Sequence, residues 1–195
     1  MRRNNFRRSA GRGGVTGSIF LPTQLSGLVL WLRADLGITL NGGNVSAWAD
    51  QSGTGDSNKN ATQGTASQQP AYSASDAGYG GQATMSFDGS NDMMASGTWA
   101  AALAQPETAF IVGNFSGAAV NEYFSDDKDT NNNRVIFNNS GASRAAIYAG
   151  ATLDSGLGLS AAKSIIAGQL NDATSKIWVS ALTANASGSS GGVTT

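Results

Sequence analysis

Two β-rich runs joined by a polar turn occupy residues 164–179, where the sequence reads SIIAGQLNDATSKIWV. The first run is dominated by apolar residues and ends at Asn171-Asp172, a residue pair typical of turns. The second run ends in Ile177-Trp178-Val179, three residues that favour strands. The stretch therefore predicts a pair of antiparallel strands around a turn.

Similar strand signals recur along the rest of the chain. Strands are predicted at residues 28–33, 45–48, 82–87, 108–115, 134–137 and 144–148. The run 108–115 is the clearest of these and is interpreted as a buried strand, whereas residues 49–69 are interpreted as a polar loop. Together with 26 glycines and only 13% charged residues, this spacing predicts an all-β, antiparallel jelly-roll sandwich.

The chain contains neither histidine nor cysteine. Catalytic Ser-His-Asp and Cys-His systems are therefore excluded, as are zinc sites built from imidazole or thiolate. Glycoside hydrolysis normally needs two carboxylates that flank the bond. Glu107 and Glu122 are the only glutamates, and they are not paired in the sequence as a catalytic motif would be. We expect the protein not to be an enzyme and to hold no required cofactor.

The charges of the chain are divided unevenly between its start and its body. Five of the twelve basic residues fall in the first twelve positions, namely Arg2, Arg3, Arg7, Arg8 and Arg12. From residue 15 onward seven basic residues stand against thirteen acidic ones, a net charge of −6. Residues 1–25 are therefore predicted to form an extended basic N-terminal arm and linker.

Three interpretations of the basic arm stay open. Its arginines can dock into an acidic groove of a partner, because the planar guanidinium pairs well with carboxylates. They can instead contact nucleic acid, or the arm can be a solvated tail. No interleaving of aromatic and basic residues supports nucleic acid further, so a protein partner is preferred. No apolar signal-peptide core follows the arginines, and no run of eighteen apolar residues predicts a membrane span.

Four motifs follow one another in the first half of the chain. They read Leu30-Trp31-Leu32-Arg33-Ala34-Asp35-x-Gly37, Val45-Ser46-x-Trp48-x-Asp50-Gln51-Ser52-Gly53, Gln69-Pro70 and Met85-Ser86-Phe87-Asp88-Gly89. This series resembles the laminin-G-like, concanavalin A-type jelly-roll modules of bacterial surface proteins and phage structural proteins. The resemblance implies a jelly roll over residues 26–181. The tryptophans are expected to bury their rings, and the Asp-containing motifs to form turns in which Gly adopts positive φ.

The end of the chain departs from that family pattern. Such modules usually close with a returning strand after the equivalent of residues 177–179, whereas residues 182–195 here form a Gly/Ser-rich segment. Three explanations stay open: a minimal module, a truncated chain, or a missing strand supplied by a neighbouring molecule.

An acidic stretch at residues 125–133 contains the best candidates for metal ligands. Asp127, Asp129 and Asn131 alternate as hard oxygen donors, which suits calcium. The stretch lacks the glycine and the bidentate glutamate of a standard calcium loop, so a solvated turn is the competing interpretation. Laminin-G-like modules often hold calcium at a loop rim, which keeps the calcium hypothesis open.

Aromatic residues near predicted loops are candidates for carbohydrate binding. Tyr72, Trp99 and Tyr123 stand close to Asn, Asp or Gln residues, and Tyr79 is a further residue of this kind. Such aromatics also serve in core and turn packing.

These features predict a non-enzymatic structural protein of a virion, namely a phage capsid decoration, fibre or tail component. It would dock by its basic arm, display the jelly roll, and be assembled in the host cytoplasm with other virion proteins and further copies of itself. The alternative is a carbohydrate-binding adhesion module of a bacterial surface protein, located outside the cell. A virion protein of this kind can also contact host glycan, and neither nucleic acid nor a membrane is expected as its partner.

Overall fold

The computed structural model of the chain is all-β, with antiparallel sheets. It describes residues 20–101, 103–114, 122–128, 133–139, 144–158, 163–180, 186–188 and 190. These residues form thirteen strands and several 3₁₀ turns of three residues each. The prediction of an all-β, antiparallel fold is therefore confirmed. Among the described residues, no helix has the length and apolar character needed to cross a membrane.

The chain divides into two compact units between Gly97 and Thr98. The strands of the first unit are β1 (Ile38–Asn41), β2 (Asn44–Trp48), β3 (Ala61–Thr62), β4 (Ala71–Asp76) and β5 (Gln82–Ser86). They form one sheet in the order β1-β2-β4-β5, and β3 pairs with β2 beside that path. Val45 of β2 is fully buried and lies at the centre of this sheet.

Asp50 links the loop after β2 to the chain segment around Trp31. Its Oδ1 accepts hydrogen bonds from the backbone N–H groups of Trp31 and Ser52, both at 2.9 Å. The Gln51 N–H in turn donates to the Trp31 carbonyl at 2.8 Å. Burial raises the pKa of Asp50, but the hydrogen bonds from Ser52, Trp31 and Thr54 outweigh it and hold that pKa below 3.8. The Asp50-Gln51-Ser52 motif therefore has a structural role.

These bonds also explain why one predicted strand is absent. Residues 28–32 belong to no strand, and Arg33 makes only an isolated bridge to Leu36. The prediction of a strand at residues 28–33 is therefore wrong. Trp31 uses its backbone groups on the Asp50 loop, and the Arg33 carbonyl accepts the indole N–H of Trp48 at 2.8 Å.

Asp88 and Gly89 form the tight turn that the sequence predicts. The Oδ1 atom of Asp88 accepts backbone N–H groups from Ser90, Asn91 and Asp92 at 2.8, 3.1 and 3.3 Å. These three bonds hold the pKa of Asp88 below its usual value. Gly89 has φ +71°, a conformation that favours glycine.

The second unit contains two four-stranded antiparallel sheets. Its strands are β6 (Glu107–Asn114), β7 (Glu122–Lys128), β8 (Asn133–Asn139), β9 (Arg144–Tyr148), β10 (Thr152–Gly158), β11 (Lys163–Leu170), β12 (Ser175–Val179) and β13 (Ala186–Gly188). One sheet has the order β10-β9-β8-β7 and the other β13-β12-β11-β6. The predicted pair around Asn171-Asp172 is confirmed, because β11 and β12 pair directly.

Both sheets of the second unit contribute to one hydrophobic core. Ala145 and Ile147 of β9 pack with Ile166 of β11 and Ile177 of β12, and all four are fully buried. Burying one isoleucine side chain contributes about 1.5–3 kcal/mol to stability. The core therefore holds the second unit together through one face of each sheet.

A short strand near the end of the chain adds to the second sheet. Strand β13, at residues 186–188 within the Gly/Ser-rich segment, pairs with β12. Beyond it, the Ser190 carbonyl accepts the N–H groups of Ala149 and Ala151 at 2.7 and 2.9 Å. The Ser190 and Ser175 hydroxyls lie 2.6 Å apart, and both residues are fully buried. This segment therefore connects the turn between β9 and β10 to the start of β12.

We predict that Asp50→Ala lowers the free energy of unfolding by about 2 kcal/mol at pH 7, because two backbone N–H groups lose a charged acceptor. Urea unfolding followed by tryptophan fluorescence measures this loss. The wild-type contribution of Asp50 is present above pH 3.8 and is lost as the pH falls through the lowered pKa. The difference between wild type and variant should therefore shrink at pH 2.

Asp35→Ala is the matched control. Asp35 forms an exposed ion pair with Arg33, and because solvent screens such a pair, its removal should lower the free energy of unfolding clearly less than Asp50→Ala does. Equal losses in the two variants would contradict the structural role of Asp50.

Candidate functional site

The outer surface of strands β6, β11 and β12 presents several large apolar side chains to solvent. Side chains alternate between the two faces of a strand, and the inward residues of these strands enter the core. The outward residues Phe110, Val112 and Ile165 are 70, 74 and 52% exposed. We call this surface the open face.

Strand register arranges the side chains of the open face in rows that cross the sheet. Ala167 of β11 lies opposite both Phe110 of β6 and Trp178 of β12, and these three residues form the aromatic row. Adjacent strands are separated by about 4.8 Å, so the backbones of Phe110 and Trp178 lie roughly 10 Å apart. Ala167 lies between them in the row and is largely buried, at 9% exposure.

A second row, composed of polar residues, runs beside the aromatic row. Gln169 lies opposite Thr108 on one side and Lys176 on the other, and Lys176 lies opposite Ser187 of β13. We call these four residues the polar row. Three of them are exposed, and Gln169 is half-buried. The hydroxyl, amide and ammonium groups of the polar row therefore lie two residues along the strands from the aromatic row.

The aromatic row and two members of the polar row, Thr108 and Gln169, line an open groove. Its volume is about 640 Å³, and it is lined by Thr108, Phe110, Ile165, Ala167, Gln169, Trp178 and Ser180. Apolar side chains dominate this lining and a few polar groups converge on it, which is the usual composition of a ligand-binding site.

Ser180 holds its hydroxyl in a fixed position at one end of the groove. Its Oγ accepts the backbone N–H of Ile165 at 3.2 Å, and its own N–H donates to the Ile165 carbonyl at 2.8 Å. Because the Ser180 Oγ accepts the Ile165 N–H, the Ser180 hydroxyl proton points away from that N–H. Ser180 has φ +49°, which is uncommon for a residue other than glycine.

The groove differs from the sites chosen from the sequence. Tyr72 lies in β4 of the first unit and is half-buried, Trp99 is half-buried in the second unit, and Tyr123 belongs to β7. Neither Tyr72 nor Trp99 is among the described residues that line the groove. Their role in carbohydrate binding stays a prediction.

Sequence reasoning missed Phe110 and Trp178 because both lie in apolar runs. The apolar run 108–115 predicts a buried strand, but the residues from Glu107 to Asn114 alternate between half-buried and exposed positions. Phe110 and Val112 are exposed although they are apolar, so the sequence lacks the alternation of polar and apolar residues that marks a half-buried strand.

The predicted metal ligands do not all fall within the described residues. Asp127 lies in β7 opposite Arg134 of β8, so the strand extends further into the acidic stretch than the sequence indicates. Asp129 and Asn131 lie outside the described residues. In the part of the chain that the structure describes, no group of three acidic side chains is positioned to hold a metal ion. The calcium site stays a prediction.

The basic arm also stays a prediction. Arg2, Arg3, Arg7, Arg8 and Arg12 precede residue 20, where the described chain begins.

Comparison with known proteins does not assign the chain to a family. No protein-family model matches it, and no curated protein or solved structure is significantly similar to it. The composition and geometry of the open face therefore form the basis for a functional assignment.

Proposed function

We propose that this chain is a non-enzymatic structural protein of a virion, and that it binds carbohydrate through the open face of β6, β11 and β12. In this role it is a capsid decoration, fibre or tail component assembled in the host cytoplasm. The surface glycan of a host cell is its ligand. The alternative, an adhesion module of a bacterial surface protein, uses the same open face.

The observation that carries the carbohydrate assignment is the aromatic row beside the polar row. One face of a sugar ring presents C–H groups that stack on an aromatic ring, while its hydroxyls need hydrogen-bonding partners. Phe110 and Trp178 supply the rings, and Thr108, Gln169 and Ser180 supply donors and acceptors along the same groove. A purely apolar partner would leave these polar groups without hydrogen bonds.

Composition and charge support the virion assignment. Only 13% of the residues are charged, and a surface with few charges suits a subunit packed in an assembly. The five N-terminal arginines supply a docking segment for an acidic partner. We further propose that the strands adopt the laminin-G-like jelly-roll arrangement, because the motifs of that family form the turn and loop contacts of Asp50 and Asp88.

Several features favour binding over catalysis. The groove lining contains no carboxylate among its described residues. The only glutamates, Glu107 and Glu122, belong to strands of different sheets. Hydrolysis of a glycosidic bond normally needs two carboxylates on either side of that bond.

We predict that Phe110→Ala weakens glycan binding at least about tenfold, because one ring of the aromatic row is lost. A glycan array first identifies a ligand for the wild-type chain, and calorimetry then measures the affinity of each variant. Phe110 is 70% exposed, so the variant should unfold within about 0.5 kcal/mol of wild type.

Phe87→Ala is the matched control. Phe87 is 46% exposed and lies in the first unit, outside the open face. This variant should bind glycan as wild type does. If both phenylalanine variants bind equally well, or if the wild-type chain binds no glycan, the carbohydrate assignment fails.

We predict that removal of residues 1–14 changes the oligomeric state of the purified chain, since the arginines of the arm dock onto acidic partners. Light scattering of the full-length and shortened chains measures their solution masses. A defined oligomer that depends on the arm supports the assembly role. A stable monomer in both cases would contradict it and leave the adhesion module as the better assignment.

A further inference from the structure

A second cavity lies beside the groove, at the other end of strand β12. Its volume is about 410 Å³, and it is lined by Ala173, Thr174, Lys176, Ser187 and Gly188. Lys176 and Ser187 are also members of the polar row, so the row leads from the groove into this cavity. A ligand that lies along the polar row therefore reaches both.

Lys176 places a positive charge in the second cavity. Lys176 is exposed and makes no ion pair with the described residues. No carboxylate belongs to the described lining of either cavity. From residue 15 onward the chain has seven basic residues against thirteen acidic ones, so Lys176 is one of the few cations in an acidic body.

The backbone at both ends of β12 is held in an uncommon conformation. Among the described residues, Asp172 and Ser180 are the two non-glycine residues with positive φ, at +44° and +49°. Asp172 precedes the second cavity, and Ser180 lines the groove. Such conformations persist where surrounding contacts impose them, and they are concentrated at functional sites.

We propose that the second cavity is a subsite for an acidic sugar, in which Lys176 pairs with the carboxylate of a uronic acid unit. This inference rests on carbohydrate binding at the open face. The neutral rings of the glycan stack on Phe110 and Trp178, and the polar row directs the acidic unit toward Lys176. The single ammonium group balances a single carboxylate, and Ser187 donates a hydrogen bond beside it.

The test compares uronic-acid-containing oligosaccharides with their methyl esters, which keep every ring and lose only the charge. Calorimetry should show the acid form binding to the wild-type chain about three to ten times more tightly than the ester. The preference should decrease as salt is raised, because the ion pair is exposed. Lys176→Gln should abolish the preference, so that the acid form and the ester bind this variant with equal affinity.

Lys163→Gln is the charge-matched control. Lys163 is the other exposed lysine on the outward positions of β11 and β12, but it lies opposite Asn114, at the far end of the sheet from the second cavity. This variant should keep the preference for the acid form. Equal binding of acid and ester, or loss of the preference in both variants, would overturn the subsite alone. Binding of neither form would overturn the carbohydrate assignment together with the subsite.

Discussion

The pairing register of strand β11 is the constraint on which the second unit depends. All eight residues of β11 pair with β6 without a bulge, and four of them also pair with β12. Because side chains alternate, this register directs Ile166 into the core and Ala167 onto the open face. A shift by one residue would exchange these positions. The packing energy that stabilises the core therefore also positions the aromatic row.

Much of the fold is predictable from the sequence, because alternation and turn residues are local signals. Strands β2, β5, β6, β9, β11 and β12 follow the predicted runs closely, and Gly89 adopts the positive φ expected of its turn. Strands β4, β10 and β13 escaped prediction because their runs are polar or rich in small residues. Residues 28–33 have strand propensity, but their partner is the distant Asp50 loop, a tertiary contact that local patterns do not contain.

The candidate site was less predictable than the fold. An apolar run shows that a strand has a buried face, but it does not show whether the opposite face is covered. The sequence therefore places Phe110 and Trp178 in strands with no binding role and favours loop aromatics such as Trp99. The site depends on three strands whose sequence separation is large, from Thr108 to Ser180. Only their register shows that two rings, a small floor residue and a polar row lie side by side.

The most direct test of ligand binding at the open face is an NMR titration of the backbone amides with the best ligand from the glycan array. We expect the largest chemical-shift changes at Phe110, Ala167 and Trp178, with smaller changes at Gln169 and Ser180. Amides of the first unit, such as that of Val45, should shift little. Binding with shifts concentrated around Tyr72 or Trp99, and none along the aromatic row, would contradict the account and return the site to the loop aromatics.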